Sequence, residues 1–380
     1  MTAAAALPFL PWNRPSIGVE EEAEVLDTLR SGWLTAGPKA ARFEQAVKDG
    51  LGVEDAFAVS SCTAALHLAL LAAGIRAGDE VITPSLTFCA APNAIVQTGG
   101  IPVFAEVDPV TFNLDPAAAE QAITPRTRAI VVMHYGGQPC DLAAFRKLAD
   151  ERGLLLIEDA AHALWAWRDG ARAGSVGDLS VFSFYGNKVM TTGEGGMLAG
   201  RAELVQKARL LGRHGIDTAV WQRHGSRSTA DYEVTVPGLK YTMPDITASV
   251  GIQQWQKLED FTGRRARIAA SYDRSLAGLP GLRLPTVLDG VRHGWFLYPV
   301  LIDPAAGRTR DEVAEALREL GIGTSVHFKP VHRLAAYRHV QCELPVTEQI
   351  AARQLSLPCY PAMTSADVQR VIDAVHTIWT

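Results

Sequence analysis

Short apolar runs alternate with segments of helical periodicity between about residue 50 and residue 200. The runs are rich in Val, Ile and Leu and lack a polar face, which is typical of parallel strands that helices cover on both sides. Ligands of such sheets bind at the carboxyl ends of the strands. The pattern predicts an α/β fold with a mostly parallel central sheet and helices on both faces, with strands near 56–60, 80–83, 103–107, 129–134, 154–159 and 181–184.

The length of the chain favours two domains. Its 380 residues exceed the ~250–300 residues at which a single hydrophobic core stops growing. The polar stretch 213–236 is too long for a routine connection and indicates a functional loop or a hairpin. We therefore predict a large domain at 1–250 and a smaller C-terminal α+β domain at 251–380. Its expected elements are a long helix at 246–276, further helices at 310–320 and 365–378, and strands within 293–302 and 323–328.

Composition and charge exclude several classes of protein. With a net charge of −5, the chain lacks the basic character that is typical of nucleic-acid-binding proteins. The longest nearly apolar run, 64–75, is shorter than the ~20 residues of a membrane span. We expect no signal peptide at the first residues. The five cysteines have neither metal nor disulfide spacing, which indicates free thiols in a reducing compartment and predicts a cytoplasmic protein. His327 and His332 have no obvious Cys or carboxylate partner, so we expect no metal site.

Two segments at predicted strand ends suit a cofactor, although each also has a plain structural explanation. Residues 61–65 (Ser-Cys-Thr-Ala-Ala) open a predicted helix, whose N-terminus favours a phosphate group. Ser and Thr are, however, also common helix caps. Thr87 and Phe88 follow the predicted strand at 80–83, where an aromatic side chain can cover a flat ring or simply pack in the core.

Two acids and a lysine follow later predicted strands. Glu158 and Asp159 close the apolar run 154–157, and because side chains alternate along a strand, one acid should point inward. Burial of that acid is costly unless it meets a cation, and the alternative is a cap for the next segment. Lys188 follows the strand at 181–184 among glycines. Burial would lower its pKa and free its amine for nucleophilic attack, whereas most lysines extend into solvent.

The four features in this order indicate pyridoxal phosphate. That cofactor needs an anion cradle, an aromatic cover, an acid for its pyridinium nitrogen and a lysine for its Schiff base. Asp159 and Lys188 are 188 − 159 = 29 residues apart, enough for one further strand between them. The sequence therefore predicts a pyridoxal-phosphate site at the carboxyl edge of the sheet.

Longer motifs span nearly the whole chain: SGWLTAGP (31–38), GDEVITPSLTF (78–88), IEDAAHA (157–163), FSFYGNKVMTTGEGGM (182–197), GLKYTMPDITASVGIQQWQKL (238–258), GIGTSVHF (321–328) and LSLPCYPAMT (355–364). Together they resemble the DegT/DnrJ/StrS family of sugar aminotransferases, which are fold-type-I pyridoxal-phosphate-dependent transferases. Within that family the chain looks most similar to the UDP-4-amino-4-deoxy-L-arabinose aminotransferases. Shared motifs there include NRPSIG, HYGGQPCDL, GLKYTMPD and GIGTSVHF.

The resemblance implies a role for each candidate residue. Lys188 would form the Schiff base and shuttle protons, and Asp159 would keep the pyridine nitrogen protonated. Tyr185, which stands where the arabinose branch has His, and His327 are the candidates for substrate contact. The remaining cofactor contacts would be a ring that stacks on the cofactor (Phe88), three residues that hold its phosphate (Thr63, Ala64 and Ser183) and a neighbour of its phenolic oxygen (His162).

Lys240 implies contact between subunits. Many family members have an Asn at this position that reaches the cofactor phosphate of the neighbouring subunit, and the arabinose branch has Lys there. The resemblance therefore implies a homodimer with shared active sites. The alternative is that Lys240 is a solvated lysine on a surface loop.

By the same resemblance, the chain would transfer an amino group from L-glutamate, which becomes 2-oxoglutarate, to a UDP- or dTDP-linked 4-keto-sugar. Amination at C4 follows from the branch alone, so a 3-keto-sugar nucleotide or a keto-inositol remains open as the acceptor. Dehydratases of the family carry His at the lysine position, and Lys188 argues against that activity. A non-catalytic regulator of the same fold is the remaining alternative, and it leaves the combination of acid, lysine and cradle unexplained.

Overall fold

The central sheet has seven strands in the order β1-β9-β8-β5-β4-β2-β3, and the computed structural model describes residues 8–216 and 233–379. Neighbours from β8 to β3 run parallel, and β9 runs antiparallel to both β8 and β1. The strands are β1 (Asp55–Val59), β2 (Glu80–Pro84), β3 (Ile101–Ala105), β4 (Thr127–Met133), β5 (Leu155–Asp159), β6 (Trp167–Arg168), β7 (Ala171–Arg172), β8 (Leu179–Ser183), β9 (Gly196–Gly200), β10 (Leu282–Arg283), β11 (Val291–Arg292), β12 (Tyr298–Ile302) and β13 (Gln354–Leu357).

Helices cover both faces of this sheet because apolar side chains point alternately to each face. Ile157 packs in a cluster with α3, whereas Leu156 packs on the opposite face with α6. The predicted α/β fold is thereby confirmed. The helices are α1 (Val19–Ser31), α2 (Pro38–Leu51), α3 (Cys62–Ala72), α4 (Ala90–Gln97), α5 (Pro116–Gln121), α6 (Leu142–Arg152), α7 (Ala202–Leu211), α8 (Asp245–Gln256), α9 (Leu258–Leu276), α10 (Arg310–Glu319), α11 (Pro345–Arg353) and α12 (Ser365–Trp379). Within the described residues, no helix combines the length and the apolar character that a membrane span requires.

A second, antiparallel sheet lies in the C-terminal part of the chain. It has the order β10-β12-β13, and its core also contains side chains of α9, α10 and α12. Leu10 packs in the same core and forms a bridge with Ile322, so the N-terminal segment contacts the C-terminal elements. The domain boundary near residue 250 stays a prediction.

Two predicted C-terminal elements differ from the structure. The long helix at 246–276 is two helices that meet at Lys257, whose ammonium bonds the carboxylate of Glu21 at 2.6 and 2.7 Å. The segment 323–328 is not a strand, since Ser325 there forms just an isolated bridge with Ser356. The local sequence pattern therefore reveals neither the break between the two helices nor the irregular backbone at 323–328.

The polar stretch 213–236 has paired ends. Arg213 bridges antiparallel to Lys240, and Ile216 bridges antiparallel to Val234. This pairing agrees with a hairpin at the base of the stretch. Residues 217–232, where most of the predicted loop or hairpin falls, lie outside the described residues.

Candidate active site

The candidate catalytic residues lie at the carboxyl edge of the central sheet. Asp159 ends β5, Ser183 ends the neighbouring β8, and Lys188 follows in the next loop. The N-terminus of α3 packs tightly against the start of β9, since a Cβ built on Gly196 would lie 2.5 Å from the carbonyl carbon of Ser61. Glycine at that position therefore lets the helix N-terminus approach the sheet edge.

Lys188 has an environment that favours the neutral amine. Its Nζ lies 4.4 Å from the centre of the Phe296 ring. Burial lowers the pKa of Lys188 to about 8, although the nearby Cys62 and Asp159 oppose this shift. A lysine with such a pKa is neutral in a substantial fraction of molecules near neutral pH, so it suits nucleophilic and base chemistry.

Asp159 is buried within electrostatic reach of Lys188. It is 6% exposed, and its Oδ1 accepts a hydrogen bond from the backbone N–H of Ala161 at 3.1 Å. Burial raises the pKa of Asp159, while that hydrogen bond and the charge of Lys188 act in the opposite direction. A buried carboxylate in this position is best stabilised by a further positive charge.

Glu158 is also buried, which the sequence did not indicate, since one inward acid was expected. Its carboxylate accepts from three backbone N–H groups, those of Gly174 (2.6 Å), Val176 (2.8 Å) and Gly177 (2.6 Å), and pairs with Nε2 of His134 at 2.9 Å. Burial works against ionisation, but these hydrogen bonds lower the pKa of Glu158 below its ordinary value. Because neighbouring side chains of a strand point to opposite faces, Glu158 is directed away from the face of Asp159.

His162 lies in an aromatic cluster beside Lys188. Its ring centre is 4.3 Å from that of Phe296 and 5.7 Å from that of Phe328, with which it stacks at 25°. The Nδ1 atom accepts the backbone N–H of Gly136 at 3.4 Å. Burial, and then the charge of Lys188, lowers the pKa of His162 well below its ordinary value, so this ring is neutral.

The proposed substrate and stacking residues surround the same cluster. His327 is buried beside Ser356, whose Oγ is 3.3 Å from its Nδ1, and burial lowers the pKa of His327 to about 3. Phe88 is 58% exposed and its ring centre is 6.0 Å from that of Phe328. Tyr185 is half exposed at the start of the loop that carries Lys188. The sequence-predicted residues therefore meet at one edge of the sheet.

The start of α3 combines the two interpretations that the sequence left open. Ser61 is the helix cap, since its Oγ accepts the backbone N–H of Ala64 at 3.1 Å. The amides of Cys62 and Thr63, in the first turn, have no partner within the helix and suit an anion.

Ser183, at the end of β8, lies close to the start of α3 in the topology. Its Oγ accepts the backbone N–H of Tyr185 at 3.4 Å.

Lys240 lies beside the outer strand of the sheet. It is exposed, and Thr242 just beyond it bridges to Val59 at the end of β1. Partial burial and the neighbouring Arg213 lower the pKa of Lys240. The side chain is therefore accessible at the edge where β1 leads into α3.

Two buried polar atoms next to the site lack a hydrogen-bond partner in the described part of the chain. They are Oγ1 of Thr87, which precedes Phe88, and Oδ1 of Asn187, which precedes Lys188. Buried polar atoms are nearly always paired in native proteins. A polar cofactor that lies between these two segments fits this requirement.

The chain was compared with known proteins. The model of the DegT/DnrJ/EryC1/StrS aminotransferase family matches residues 15–376. The chain is 46% identical over 377 residues to the spore coat polysaccharide biosynthesis protein SpsC of Bacillus subtilis, covering 97% of each chain. It is similar to the crystal structure of the sugar aminotransferase CalS13 from Micromonospora echinospora, with a TM-score of 0.88 and 30% identity over 97% of this chain and 99% of CalS13. The PLP form of Spr1654 from Streptococcus pneumoniae gives a TM-score of 0.90 and 28% identity over 98% of both chains.

These similarities agree with the chemistry of the site. Spr1654 has been solved in a pyridoxal-phosphate form and in a pyridoxamine-phosphate (PMP) form, and the PMP form has a TM-score of 0.91 to this chain. The lysine of lowered pKa, the buried carboxylate and the free amides of α3 fit that cofactor. The chain therefore belongs to the DegT/DnrJ/EryC1/StrS aminotransferase family and is a pyridoxal-phosphate-dependent sugar aminotransferase.

Proposed function

We propose that this enzyme transfers the amino group of L-glutamate to C4 of a UDP- or dTDP-linked 4-keto-sugar. The observation that carries the proposal is the placing of Lys188, with a pKa of about 8, within electrostatic reach of the buried Asp159. The choice of C4 and of a nucleotide-linked sugar is supported by the resemblance to the arabinose branch, including HYGGQPCDL at 134–142.

Lys188 is assigned two tasks. Its amine binds the cofactor, and its Nζ then removes the proton from the amino-bearing carbon of glutamate and later returns a proton to C4 of the sugar. When bound, pyridoxal phosphate supplies an electron sink for the charge left at that carbon. A base with a pKa of about 8 suits this work, because its neutral form is accessible near neutral pH and its protonated form can return the proton.

Asp159 is assigned to the pyridine nitrogen of the cofactor. Its carboxylate is buried, and burial raises its pKa, so a proton-bearing nitrogen beside it would favour the ionised form. His162 is neutral in this environment and would offer a ring nitrogen to the phenolic oxygen without adding charge. Phe88 would stack on the ring, and the phosphate would lie at the start of α3, held by Thr63, Ala64 and Ser183.

The nucleotide-linked substrate would lie on the side of the site that Tyr185 and His327 border. A cavity of about 1030 Å³ is lined by the basic residues Lys329, Arg333 and Arg338 and by the acidic Glu343, among others, and Lys329 follows Phe328 in the sequence. Cationic side chains of this kind complement the two phosphate groups of a sugar nucleotide. Arg333 already pairs with Glu348, so we assign Lys329 and Arg338 to the phosphates of a nucleotide-linked substrate, which an uncharged keto-inositol does not have.

A panel of keto compounds is expected to show a clear preference for a UDP- or dTDP-linked 4-keto-sugar when glutamate is the amino donor. The panel contains 4-keto and 3-keto sugars on each nucleotide and a keto-inositol, and the measurement is kcat/KM from 2-oxoglutarate release. The control is the glutamate half-reaction alone, which does not involve the sugar. A preference for a 3-keto-sugar or for a keto-inositol would contradict amination at C4 and leave the aminotransferase assignment intact.

We further propose a homodimer in which Lys240 of one subunit contacts the cofactor phosphate of the other. Lys240 is exposed at the sheet edge beside β1, where an approaching subunit can reach it. A cofactor phosphate carries about two negative charges at neutral pH, so a cation from the neighbour would neutralise part of them. Each active site would then need residues from both chains.

Subunit mixing tests this arrangement. Lys188→Ala and Lys240→Ala proteins are expected to be inactive or weak alone, and to regain up to about a quarter of wild-type activity when unfolded and refolded together, because each mixed dimer holds one intact site. Mixing Lys188→Ala with Asp159→Asn is the control, since both residues belong to the same chain's site and no intact site can form. Activity that never exceeds the sum of the parents, a fully active Lys240→Ala protein, or a monomer in sedimentation would contradict shared sites.

A further inference from the structure

A chain of hydrogen bonds joins the end of β2 to the C-terminal part of the protein. Ser85, which is fully buried, has its Oγ 2.7 Å from Nδ1 of His332 and also accepts the backbone N–H of His332 at 3.1 Å. The carbonyl oxygen of Ser85 accepts the N–H of Val331 at 2.9 Å. Three hydrogen bonds therefore connect one residue after β2 to two successive residues located 246 and 247 positions later.

The far side of the His332 ring contacts a carboxylate. Nε2 lies 3.0 Å from Oε1 of Glu348, and Arg333 also bonds that carboxylate, so Glu348 is an ionised acceptor. Both ring nitrogens of His332 therefore have a hydrogen-bond partner, Nδ1 with the hydroxyl of Ser85 and Nε2 with the carboxylate of Glu348. Ser85, His332 and Glu348 thus form one continuous set of hydrogen bonds, with a contact at each ring nitrogen of the imidazole.

This link joins the two segments that carry aromatic rings of the candidate site. Ser85 is three residues before Phe88, and His332 is four residues after Phe328. The rings of Phe88 and Phe328 are 6.0 Å apart, and Phe328 stacks on His162. The two segments that present these rings are thus tied together by the Ser85–His332 contacts, although they are far apart in sequence.

Neither Ser85 nor His332 belongs to the reacting groups. Ser85 has no exposed surface, which excludes it as a nucleophile despite the resemblance of Ser85–His332–Glu348 to a catalytic triad. His332 is 5% exposed and both of its ring nitrogens are occupied by Ser85 and Glu348. Their effect on the reaction is therefore assigned to the segments that they hold, and Ser85 tests this most directly, because His332 also lines the cavity near Lys329 and Arg338.

We propose that Ser85 and His332 are positioning residues that set the distance between Phe88 and the His327–Phe328 segment, and thereby orient the cofactor ring and the substrate. The proposal rests on the assignment of Phe88 to the cofactor ring. A substitution that removes the hydrogen bonds between Ser85 and His332 leaves the catalytic groups in place. It lets the cofactor ring and the sugar take several orientations, and this loss of orientation reduces the reaction rate.

The test compares variants that break different bonds. Ser85→Ala removes one oxygen and leaves both Nδ1 and the backbone N–H of His332 without a partner. His332→Gln keeps an amide near Glu348 but loses the contact with Ser85. His332→Asn keeps an amide near Ser85. Ser249→Ala is the matched control, because Ser249 is equally buried and its Oγ bonds one backbone carbonyl, that of Ile246, at 2.7 Å. The readouts are the visible circular dichroism of bound pyridoxal phosphate and kcat/KM for each half-reaction.

Ser85→Ala and His332→Gln are expected to weaken the cofactor dichroism and to lower kcat/KM by roughly tenfold in both half-reactions, as the loss of a buried hydrogen-bond partner implies. His332→Asn should recover most of both signals, and Ser249→Ala should change neither. Unchanged dichroism and kcat/KM in Ser85→Ala would overturn the proposal, as would an equal change in Ser249→Ala. If His332→Gln fails to fold, Ser85→Ala decides by itself.

Phe88→Leu separates failure of this inference from failure of the assignment on which it rests. Altered dichroism in Phe88→Leu together with normal dichroism in Ser85→Ala would reject the positioning link and keep Phe88 at the cofactor. Normal dichroism in Phe88→Leu would reject the placing of Phe88 and the inference with it. Altered dichroism in both variants supports the link.

Discussion

Replacing Lys188 by alanine is expected to abolish transamination while the protein remains folded. Loss of a general base costs ~10²–10⁴-fold in rate, and Lys188→Ala also removes the amine that binds the cofactor, so we expect at least ~10⁴-fold. The measurement is a single turnover, in which the cofactor spectrum is followed after glutamate is added to the loaded protein. Turnover near the wild-type rate would show that another group carries the proton.

A second substitution at the same position distinguishes lost chemistry from lost structure. Lys188→Met keeps most of the aliphatic side chain and removes the charge. Because burial lowers the pKa of Lys188 to about 8, the charged amine destabilises the fold below pH 8, and this penalty fades as the pH rises from 8 toward the ordinary 10.5. At neutral pH, cofactor-free Lys188→Met should therefore melt no lower than the wild type, although it is inactive.

Lys207→Met is the control for this comparison. Lys207 lies on α7, and its Nζ donates to the carbonyl oxygen of Ala72 at 2.8 Å, away from the carboxyl edge of the sheet. Its replacement should leave single turnover unchanged. A marked fall in the melting temperature of Lys188→Met with normal behaviour of Lys207→Met would mean that Lys188 is structural.

The parts of this protein that sequence reasoning found are those that local patterns encode. The strand that ends at Asp159 and the helix that begins after Ser61 follow from apolar runs and from a capping residue within a few positions. Lys188 was recognisable because a lysine shortly after an apolar strand is unusual, and in the structure it lies in the loop that follows β8. Local rules were sufficient because each of these features is decided by near neighbours in sequence.

Features that depend on distant partners could not be found in this way. The N-cap position of α2 is Gly37, which has no side chain, and the carboxylate of Asp245 serves instead by accepting the N–H of Gly37 at 2.8 Å from 208 positions away. Ser85 and His332 are a comparable pair, 247 positions apart. Neither pair has a local signal in the sequence, because its two partners come together when the chain folds.

For Glu158 and Asp159 the sequence pattern predicts one property correctly and another incorrectly. Alternation along β5 correctly predicts that the two side chains face opposite directions. The expectation that one acid would lie inward was wrong in number, because both are buried, at 0% and 6% exposure. Helices cover both faces of this sheet, so neither direction leads to solvent, and each acid needs its own partners.

Asp159→Asn and Glu158→Gln should therefore have opposite consequences. Asp159→Asn is expected to lower the rate by at least ~100-fold, because an uncharged amide cannot stabilise the positive charge on the ring nitrogen. Burial raises the pKa of Asp159, so its ionised form at neutral pH destabilises the cofactor-free fold, and Asn should leave the melting temperature equal or higher. Glu158→Gln, by contrast, breaks a buried charge network and should cost about 3 kcal/mol of unfolding free energy.

The pH dependence adds a second difference between the two variants. The pKa of Glu158 is below its ordinary value of 4.5 in the folded protein, so its stabilising effect is present above that pH and is lost as the pH falls through the folded value. The wild type should thus lose stability on acidification, and Glu158→Gln should lose less of it. Denaturant unfolding of the cofactor-free proteins at pH 7 and pH 4, with single turnover at pH 7, measures both effects. If Asp159→Asn turns over like the wild type, or if it and Glu158→Gln lose the same stability, then Asp159 is a second structural acid and does not contact the cofactor.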